Sequence, residues 1–461
     1  MDGIQGNFQE NLPALSPDEA LAEANRCLFC FDAPCIRACP TQIDIPSFIK
    51  KIATGNLRGS ARVIMESNPL GATCARVCPV EALCEGGCVY NLQDRPPIQI
   101  GRLQRHATDW LIAAGETTFT VGPDNGKSVA CIGSGPASLA AAVRLREWGY
   151  AVTLYEAKPR GGGLDTYGIV SYRLPVEISL AEVGLVERTG ATFRYDTRVG
   201  TDITLDDLLK RHDAVFVGVG LGQPASPGLP GEDLPGVRDT LPFIEETKSR
   251  PLDTLCVGRR VLVIGAGNSA IDAATAAGRL GAESVTIVYR RSEQEIPCYG
   301  FEFEFAKQEG VRFQWLTAPK RIVGSGRVEG LECVRTRLGE PDANGRRRPE
   351  EIPGSTFTIP ADMIIKAVGQ GPDNSFLSHL GLHLKGPDRL AADRETGATS
   401  HPRVFAGGDI VDGRDDATVV AVVAMGLRAA AGLDSSLGSP RGAGATPPAR
   451  LKTVIRRRAS R

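Results

Sequence analysis

At 461 residues the chain exceeds a single compact core, and at roughly 100–200 residues per domain about three domains are expected. Hydrophobic residues make up 42% and charged residues 23%, an ordinary globular balance that excludes a disordered or fibrous protein. The 53 basic and 54 acidic side chains nearly cancel, so net charge favours neither nucleic acid nor an anionic membrane, and neither is expected as a partner.

The opening Met-Asp-Gly-Ile-Gln-Gly-Asn has neither the basic nor the apolar region of a secretory signal, so a cytoplasmic location is expected. Twelve cysteines would suit a disulfide framework in an exported chain, but eight of them fall within 27–88, which points to metal instead. They form two runs, Cys27-x2-Cys30-x4-Cys35-x3-Cys39-Pro40 and Cys74-x3-Cys78-Pro79-x4-Cys84-x3-Cys88. Soft thiolates on short loops suit iron–sulfur clusters, and two four-thiolate zinc sites would absorb the same eight sulfurs. The Cys-Pro ending of the first run resembles that of a bacterial ferredoxin run, although the x4 gap departs from the ferredoxin x2. The region to about residue 115 carries helical patterns, as at 45–51 and 101–113, and little strand pattern.

From Ser128 the texture becomes apolar strand, Gly-rich turn, Ala-rich helix and second strand, the βαβ rhythm of a doubly wound fold. In the unit at 129–156, Gly133 permits the tight turn and Gly135 lets a pyrophosphate approach the helix that Pro136 and Ala137 open. Glu156 stands where a carboxylate binds ribose hydroxyls. Ser138 replaces the third glycine. The rhythm recurs at 261–290 with Gly265, Gly267, Asn268 and Ser269, but there Arg290 and Arg291 replace the acid. Guanidinium groups at that strand end suit a 2'-phosphate, or else face solvent or touch the pyrophosphate. Two adjacent dinucleotide sites imply FAD in the first and NADPH or NADH in the second; a flavin accepts hydride and releases electrons singly to iron–sulfur carriers. Cys131 lies in the apolar first strand, and it, Cys256, Cys298 and Cys333 read as small hydrophobes.

The segments Met363-Ile-Ile-Lys-Ala-Val-Gly369 and Val404-Phe-Ala-Gly-Gly-Asp-Ile410 need a sheet to join, and the simplest arrangement returns both to the first Rossmann domain. The apolar stretch 417–427 is too short to span a membrane and reads as a buried helix. The expected architecture is α/β. A helical iron–sulfur domain (1–118) precedes a discontinuous FAD domain (119–255 and 361–433), a nicotinamide domain (256–360) is inserted in it, and a flexible basic tail (434–461) follows.

Several motifs together carry a family resemblance: Arg26-Cys-Leu-x-Cys-x-Asp-Ala-Pro-Cys, Asn68-Pro-Leu-Gly-x-Thr-Cys, Leu83-Cys-Glu-Gly-Gly-Cys, Ile100-Gly-Arg-Leu-Gln, Gly135-Pro-Ala-Ser and Tyr172-Arg-Leu-Pro. Over roughly 18–433 the chain resembles the N-terminal half of dihydropyrimidine dehydrogenase, more closely the separate bacterial subunit matching that half, and both are similar to the small subunit of glutamate synthase. The resemblance implies two [4Fe-4S] clusters. Cys27, Cys30, Cys35 and Cys88 would hold one; Cys39, Cys78, Cys84 and the amide oxygen of Gln104 would hold the other, leaving Cys74 spare. Read alone, a glutamine on a charged helix is a surface residue. The same matching sets Gly163, Leu164 and Arg173 beside the flavin, and Gly408 with Asp409 on its ribityl-pyrophosphate portion. The sequence departs from the family at Glu295-Ile-Pro-Cys, where a further basic residue is usual.

Pyrimidine reduction in this family needs FMN in a barrel domain of about 250 residues. Three modules leave no space for one, so the resemblance implies an FMN-containing catalytic partner in a hetero-oligomer that reduces uracil or thymine. Two rival readings are the glutamate synthase small subunit, against which Ser138 and Tyr172-Arg-Leu-Pro175 count, and a redox sensor that binds the dinucleotides without turnover.

Overall fold

A computed structural model describes residues 3–342, 345, 347–386, 388–411 and 418–438. They form two compact units. One holds the described residues up to Asn11, Tyr167–Tyr172 and Gly222–Gly371; the other holds Leu12–Thr166, Arg173–Leu221 and the described residues from Pro372 onward.

The cysteine-rich region folds as six helices: α1 (Pro17–Asn25), α2 (Pro34–Ala38), α3 (Ile45–Ala53), α4 (Leu57–Ser67), α5 (Gly71–Val77) and α6 (Ile100–Ala113). Their starts are written locally. Ser16 and Glu19 form a reciprocal capping box on α1, while Asp44 and Asn56 cap α3 and α4. In α6 the helical spacing of Ile100, Leu103, Ala107 and Leu111 makes one buried stripe, and Gln104 lies on that stripe.

The first Rossmann layer follows as β1 (Ser128–Ile132), α7 (Pro136–Glu147), β2 (Ala151–Tyr155), α8 (Leu164–Tyr167), α9 (Val176–Glu187), β3 (Thr192–Arg194), α10 (Leu205–Arg211) and β4 (Ala214–Val217). β1 is fully apolar beyond its first residue because helices cover both faces of a parallel sheet.

The other unit contains β5 (Gln223–Pro224), β6 (Val237–Asp239), α11 (Thr240–Ser249), β7 (Arg260–Ile264), α12 (Asn268–Arg279), β8 (Ser284–Val288), α13 (Gly300–Gln308) and β9 (Arg312–Gln314). A meander of β10 (Thr317–Val323), β11 (Gly330–Pro341) and β12 (Arg347–Pro360) precedes β13 (Met363–Lys366) and β14 (Gln370–Gly371). Its parallel sheet has the order β6-β13-β7-β8-β9, and β14 pairs antiparallel with β5.

This corrects one sequence expectation. Met363–Lys366 does not return to the first sheet but inserts between β6 and β7, with Ile364 opposite Leu262 and Ile365 opposite Val263. The second sheet thus draws chain from outside the expected limits of 256 and 360. An apolar strand carries no address of its own; here Asp362, which accepts the Arg260 N–H at 2.8 Å, ties the strand's entry to β7.

The chain then adds α14 (Asn374–Leu380), β15 (Val404–Ala406) and α15 (Val419–Leu437), and β15 completes a first sheet of order β15-β4-β1-β2-β3. α15 takes in the first four residues of the expected tail, 434–437, and Asp434 is buried, accepting the Tyr150 hydroxyl at 3.0 Å. The rest of that expected tail, from 439, lies outside the described residues. By length and composition α15 could cross a membrane. It instead buries Val423, Leu427, Ala429, Ala430 and Leu433 in the same core as α7.

Candidate functional site

The eight clustered cysteines separate into two cavities inside one unit. The first, with about 380 Å³ of empty volume, is lined by Cys27, Cys30, Cys35 and Cys88 beside Ile45, Ile49 and Tyr90. The second, of about 370 Å³, is lined by Cys39, Cys74, Cys78, Cys84 and Gln104 beside Ile43 and Leu83. The sets interleave along the chain because α2 carries Cys35 at its start and Cys39 at its end, pointing one to each side.

Gln104 is 6% exposed, and its Nε2 donates to the Gly71 carbonyl at 2.7 Å, which leaves Oε1 as the amide's donor atom for a metal. A surface reading of this residue therefore fails. The signal that could have revealed it was its place four residues after Ile100 on the apolar stripe of α6.

Free thiolates at Cys35, Cys78 and Cys84 are unfavourable. Burial, then the neighbouring Cys27, pushes Cys35 up to about 12, and burial followed by Cys39 raises Cys84. Cys78 is raised by its hydrogen bond with Cys74 and then by burial. A cationic guest reverses that balance, since metal coordination deprotonates thiols outright. Among the described residues no three His, Cys, Asp or Glu side chains converge closely enough to hold a single metal ion. Sulfurs spread around a cavity fit a polynuclear guest better than four thiolates closing on one zinc ion.

In the same unit, three separated segments meet at the N-terminus of α7. Gly133 has φ +85° and turns the chain against Gly218, whose carbonyl oxygen would lie 3.0 Å from a Cβ at Gly133. Gly135 is the N-cap, followed by Pro136 and Ala137 in the first turn. Gly163 approaches so closely that its Cβ would fall 2.8 Å from the Gly135 Cα, just before Leu164 opens α8; a Cβ on Gly408 would lie 3.3 Å from that of Ala137. Glu156 accepts from Ser134 N at 2.9 Å and Ser134 Oγ at 2.6 Å, so the carboxylate braces the Gly-rich loop. Among the described residues Asp409 Oδ1 is buried without a hydrogen-bond partner, and burial pushes this carboxyl up to about 6 against the opposing effect of Arg389. A helix N-terminus with an unsatisfied acceptor at its mouth fits a dinucleotide's pyrophosphate and hydroxyls. Arg173 is half-buried before α9.

The other unit builds the corresponding turn after β7. Gly265 has φ +115°, and its Cβ would fall 2.2 Å from the Ala367 carbonyl oxygen. Gly267 caps α12 with open space where a side chain would be, and Asn268 accepts the Tyr299 N–H at 3.3 Å, with Ser269 next in the first turn. Past β8, Arg290 is exposed, while among the described residues Arg291 Nε is buried without a partner. Glu295, beside them, hydrogen-bonds the Ser292 hydroxyl.

A family model described as pyridine nucleotide-disulphide oxidoreductase matches residues 127–426. The chain belongs to the pyridine nucleotide-disulphide oxidoreductase family. A second model, dihydropyrimidine dehydrogenase domain II with a 4Fe-4S cluster, matches residues 4–116. The chain is 38% identical to the glutamate synthase (NADPH) small chain of Escherichia coli (strain K12), over 92% of this chain and 93% of that one. It is 37% identical to the NAD-dependent dihydropyrimidine dehydrogenase subunit PreT of the same organism, over 92% of this chain and 96% of that one. Against the NADP(+)-dependent formate dehydrogenase subunit beta of Moorella thermoacetica it is 39% identical over 88% of its length, yet spans 60% of that relative. Among solved structures, the Mycobacterium tuberculosis oxidoreductase FprA superposes with a TM-score of 0.57 at 22% identity, covering 69% of this chain and 85% of that one, a likeness of fold.

This member of the family is thus an NAD(P)H-dependent flavin and iron–sulfur oxidoreductase, in which bound FAD supplies the conversion of hydride into single electrons. Two contributors escaped sequence reasoning. Gly218 leaves room for Ser138, whose Oγ would lie 2.2 Å from a Cβ there, and Ser134 gives Glu156 a partner. The Gly-x-Gly following β4 was the available signal for the first. Of the four cysteines read as small hydrophobes, Cys256 is exposed while Cys131, Cys298 and Cys333 are buried.

Proposed function

We propose that this chain is the electron-input subunit of a heteromeric cytoplasmic enzyme, passing reducing equivalents from NAD(P)H through FAD and two [4Fe-4S] clusters to a catalytic partner that reduces uracil or thymine. The observation that carries the reading is the division of the cysteines into two cavities, with Gln104 buried in the second. On this reading Cys27, Cys30, Cys35 and Cys88 ligate the first cluster. Cys39, Cys78, Cys84 and Gln104 ligate the second, where a neutral amide in place of a thiolate alters the site's charge and so tunes its potential.

Gly133, Gly135, Pro136, Ala137, Glu156, Gly163, Leu164, Arg173, Gly408 and Asp409 hold FAD. Gly265, Gly267, Asn268, Ser269, Arg290 and Arg291 hold the nicotinamide cofactor. The two arginines favour a 2'-phosphate, and Glu295 opposes it. The relative PreT supports both the pyrimidine substrate and a partner, being itself a subunit by name.

Near-equal identity to the glutamate synthase small chain favours a second reading, in which the partner forms glutamate. The test is oxidation of NADH and of NADPH by the purified chain, alone and with its co-purified partner, on addition of uracil, thymine or the glutamate-forming substrates. Pyrimidine-dependent turnover that requires an FMN-containing partner is expected. Glutamate formation instead would replace the substrate assignment, and failure of either dinucleotide to bleach the flavin would leave a sensor.

A further inference from the structure

We propose that the second cavity carries five iron donors for four positions, Cys74 being a reserve ligand that takes over the place of Gln104 when the amide is lost. The inference rests on the reading of this cavity as a [4Fe-4S] site. Cys74 lines it together with Cys39, Cys78, Cys84 and Gln104, and is 2% exposed. It sits one helical turn before Cys78, whose N–H donates to the Cys74 carbonyl at 3.1 Å, so both side chains leave the same face of α5. The two thiols hydrogen-bond each other.

Gln104 is held by the same helix. Its Nε2 binds the carbonyl of Gly71, three residues before Cys74 and therefore on the adjacent turn. The spare thiol on α5 and the amide of Gln104 on α6, anchored to the first residue of α5, thus line the same cavity. A thiolate is the softer donor and suits iron better than an amide oxygen, so a vacancy at the amide's position draws the sulfur in. In the exchange the iron–oxygen bond breaks, the Cys74 Sγ–H gives its proton to solvent and an iron–sulfur bond forms. No electron moves. With the amide present, a neutral oxygen at this position spares the buried site one further negative charge.

The test measures iron, acid-labile sulfide and flavin per chain, with redox-titrated EPR, on anaerobically purified full-length protein. Wild type and Cys74→Ser should each carry about eight irons, as two four-iron clusters require. Gln104→Ala should keep about eight, with one cluster shifted to lower potential and a changed EPR signal, because a thiolate adds negative charge. Gln104→Ala/Cys74→Ser should fall to about four while retaining its flavin, which reports an intact fold. A Gln104→Ala protein that drops to about four irons with Cys74 present, or that keeps an unshifted potential and spectrum, overturns the proposal; so does a double variant that keeps all its iron. If the double variant loses flavin as well, the titration of Gln104→Ala alone decides. Wild-type protein with no iron, or with about four, overturns the two-cluster reading itself, an outcome separate from all of these.

Discussion

Asp409 follows a glycine with φ +81° at the end of β15, and its carboxyl is pushed up to about 6, chiefly by burial. For an acid whose folded value is raised from 3.8, the folded state binds more protons than the unfolded one between those values. Stability is therefore fullest below about pH 4 and declines as pH rises through about 6. Asp409→Asn removes that dependence. The flavin-free variant should match wild type near pH 4 and exceed it at pH 7–8 by about 1–2 kcal/mol, a figure that allows for solvent screening at this half-buried group. Thermal midpoints of the two proteins across pH 4–8 check it; a constant difference would place the effect elsewhere. The glycines at 133, 135, 265 and 267 were legible in the sequence because a tight turn leaves few residue choices. The bracing of Glu156 by Ser134 was not, because it depends on the path of the loop between them.

At the scale of elements, α5 and α6 form the wall of the second cavity and are pinned from outside it. Glu182 on α9 accepts Ala72 N–H at 2.7 Å and Thr73 N–H at 3.1 Å at the start of α5, and Arg76 pairs with Asp109 of α6 at 2.8 Å. Burial pushes Glu182 up to about 7, while its hydrogen bonds to Thr73 and Ala72 work in the other direction. Glu182→Ala strands two buried amide donors, at a cost of about 2–4 kcal/mol. Iron should leave the second cavity before the first, and the urea midpoint should fall; unchanged iron content and midpoint would show that α5 holds without this anchor. The span of α6 could be read from the period of its apolar residues. The tether of α5 to α9 could not, because periodicity reports which face is buried and says nothing of what covers it, and the partners are more than 100 residues apart.

For the molecule as a whole, α15 is the return that covers the first parallel sheet beside α7. Gly426 packs so tightly on α7 that a Cβ there would lie 2.1 Å from the Ala137 carbonyl oxygen. Its five large or small apolar residues in the shared core are worth about 1.5–3 kcal/mol for each large side chain buried, a sum comparable with the ~5–15 kcal/mol stability of a domain. Ending the chain after residue 418 should abolish flavin retention and cooperative unfolding. Ending it after Gly438, which caps the helix, should leave flavin content and thermal midpoint as they are. Calorimetry and flavin absorbance of the two truncations distinguish these outcomes, and loss of flavin in the longer one would assign the last residues a part in the fold.

The sequence by itself determined the chemistry this protein can hold. Thiolate spacing, Gly-rich turns and strand-end charges are local patterns whose meaning survives without knowledge of distant contacts. Only the tertiary structure decided how those parts are shared out: which cysteines face which cavity, that Gln104 is buried among them, and that Met363–Lys366 belongs to the second sheet. An apolar strand or a polar residue on a helix gains its address from whatever packs against it, and that partner lies far away along the chain.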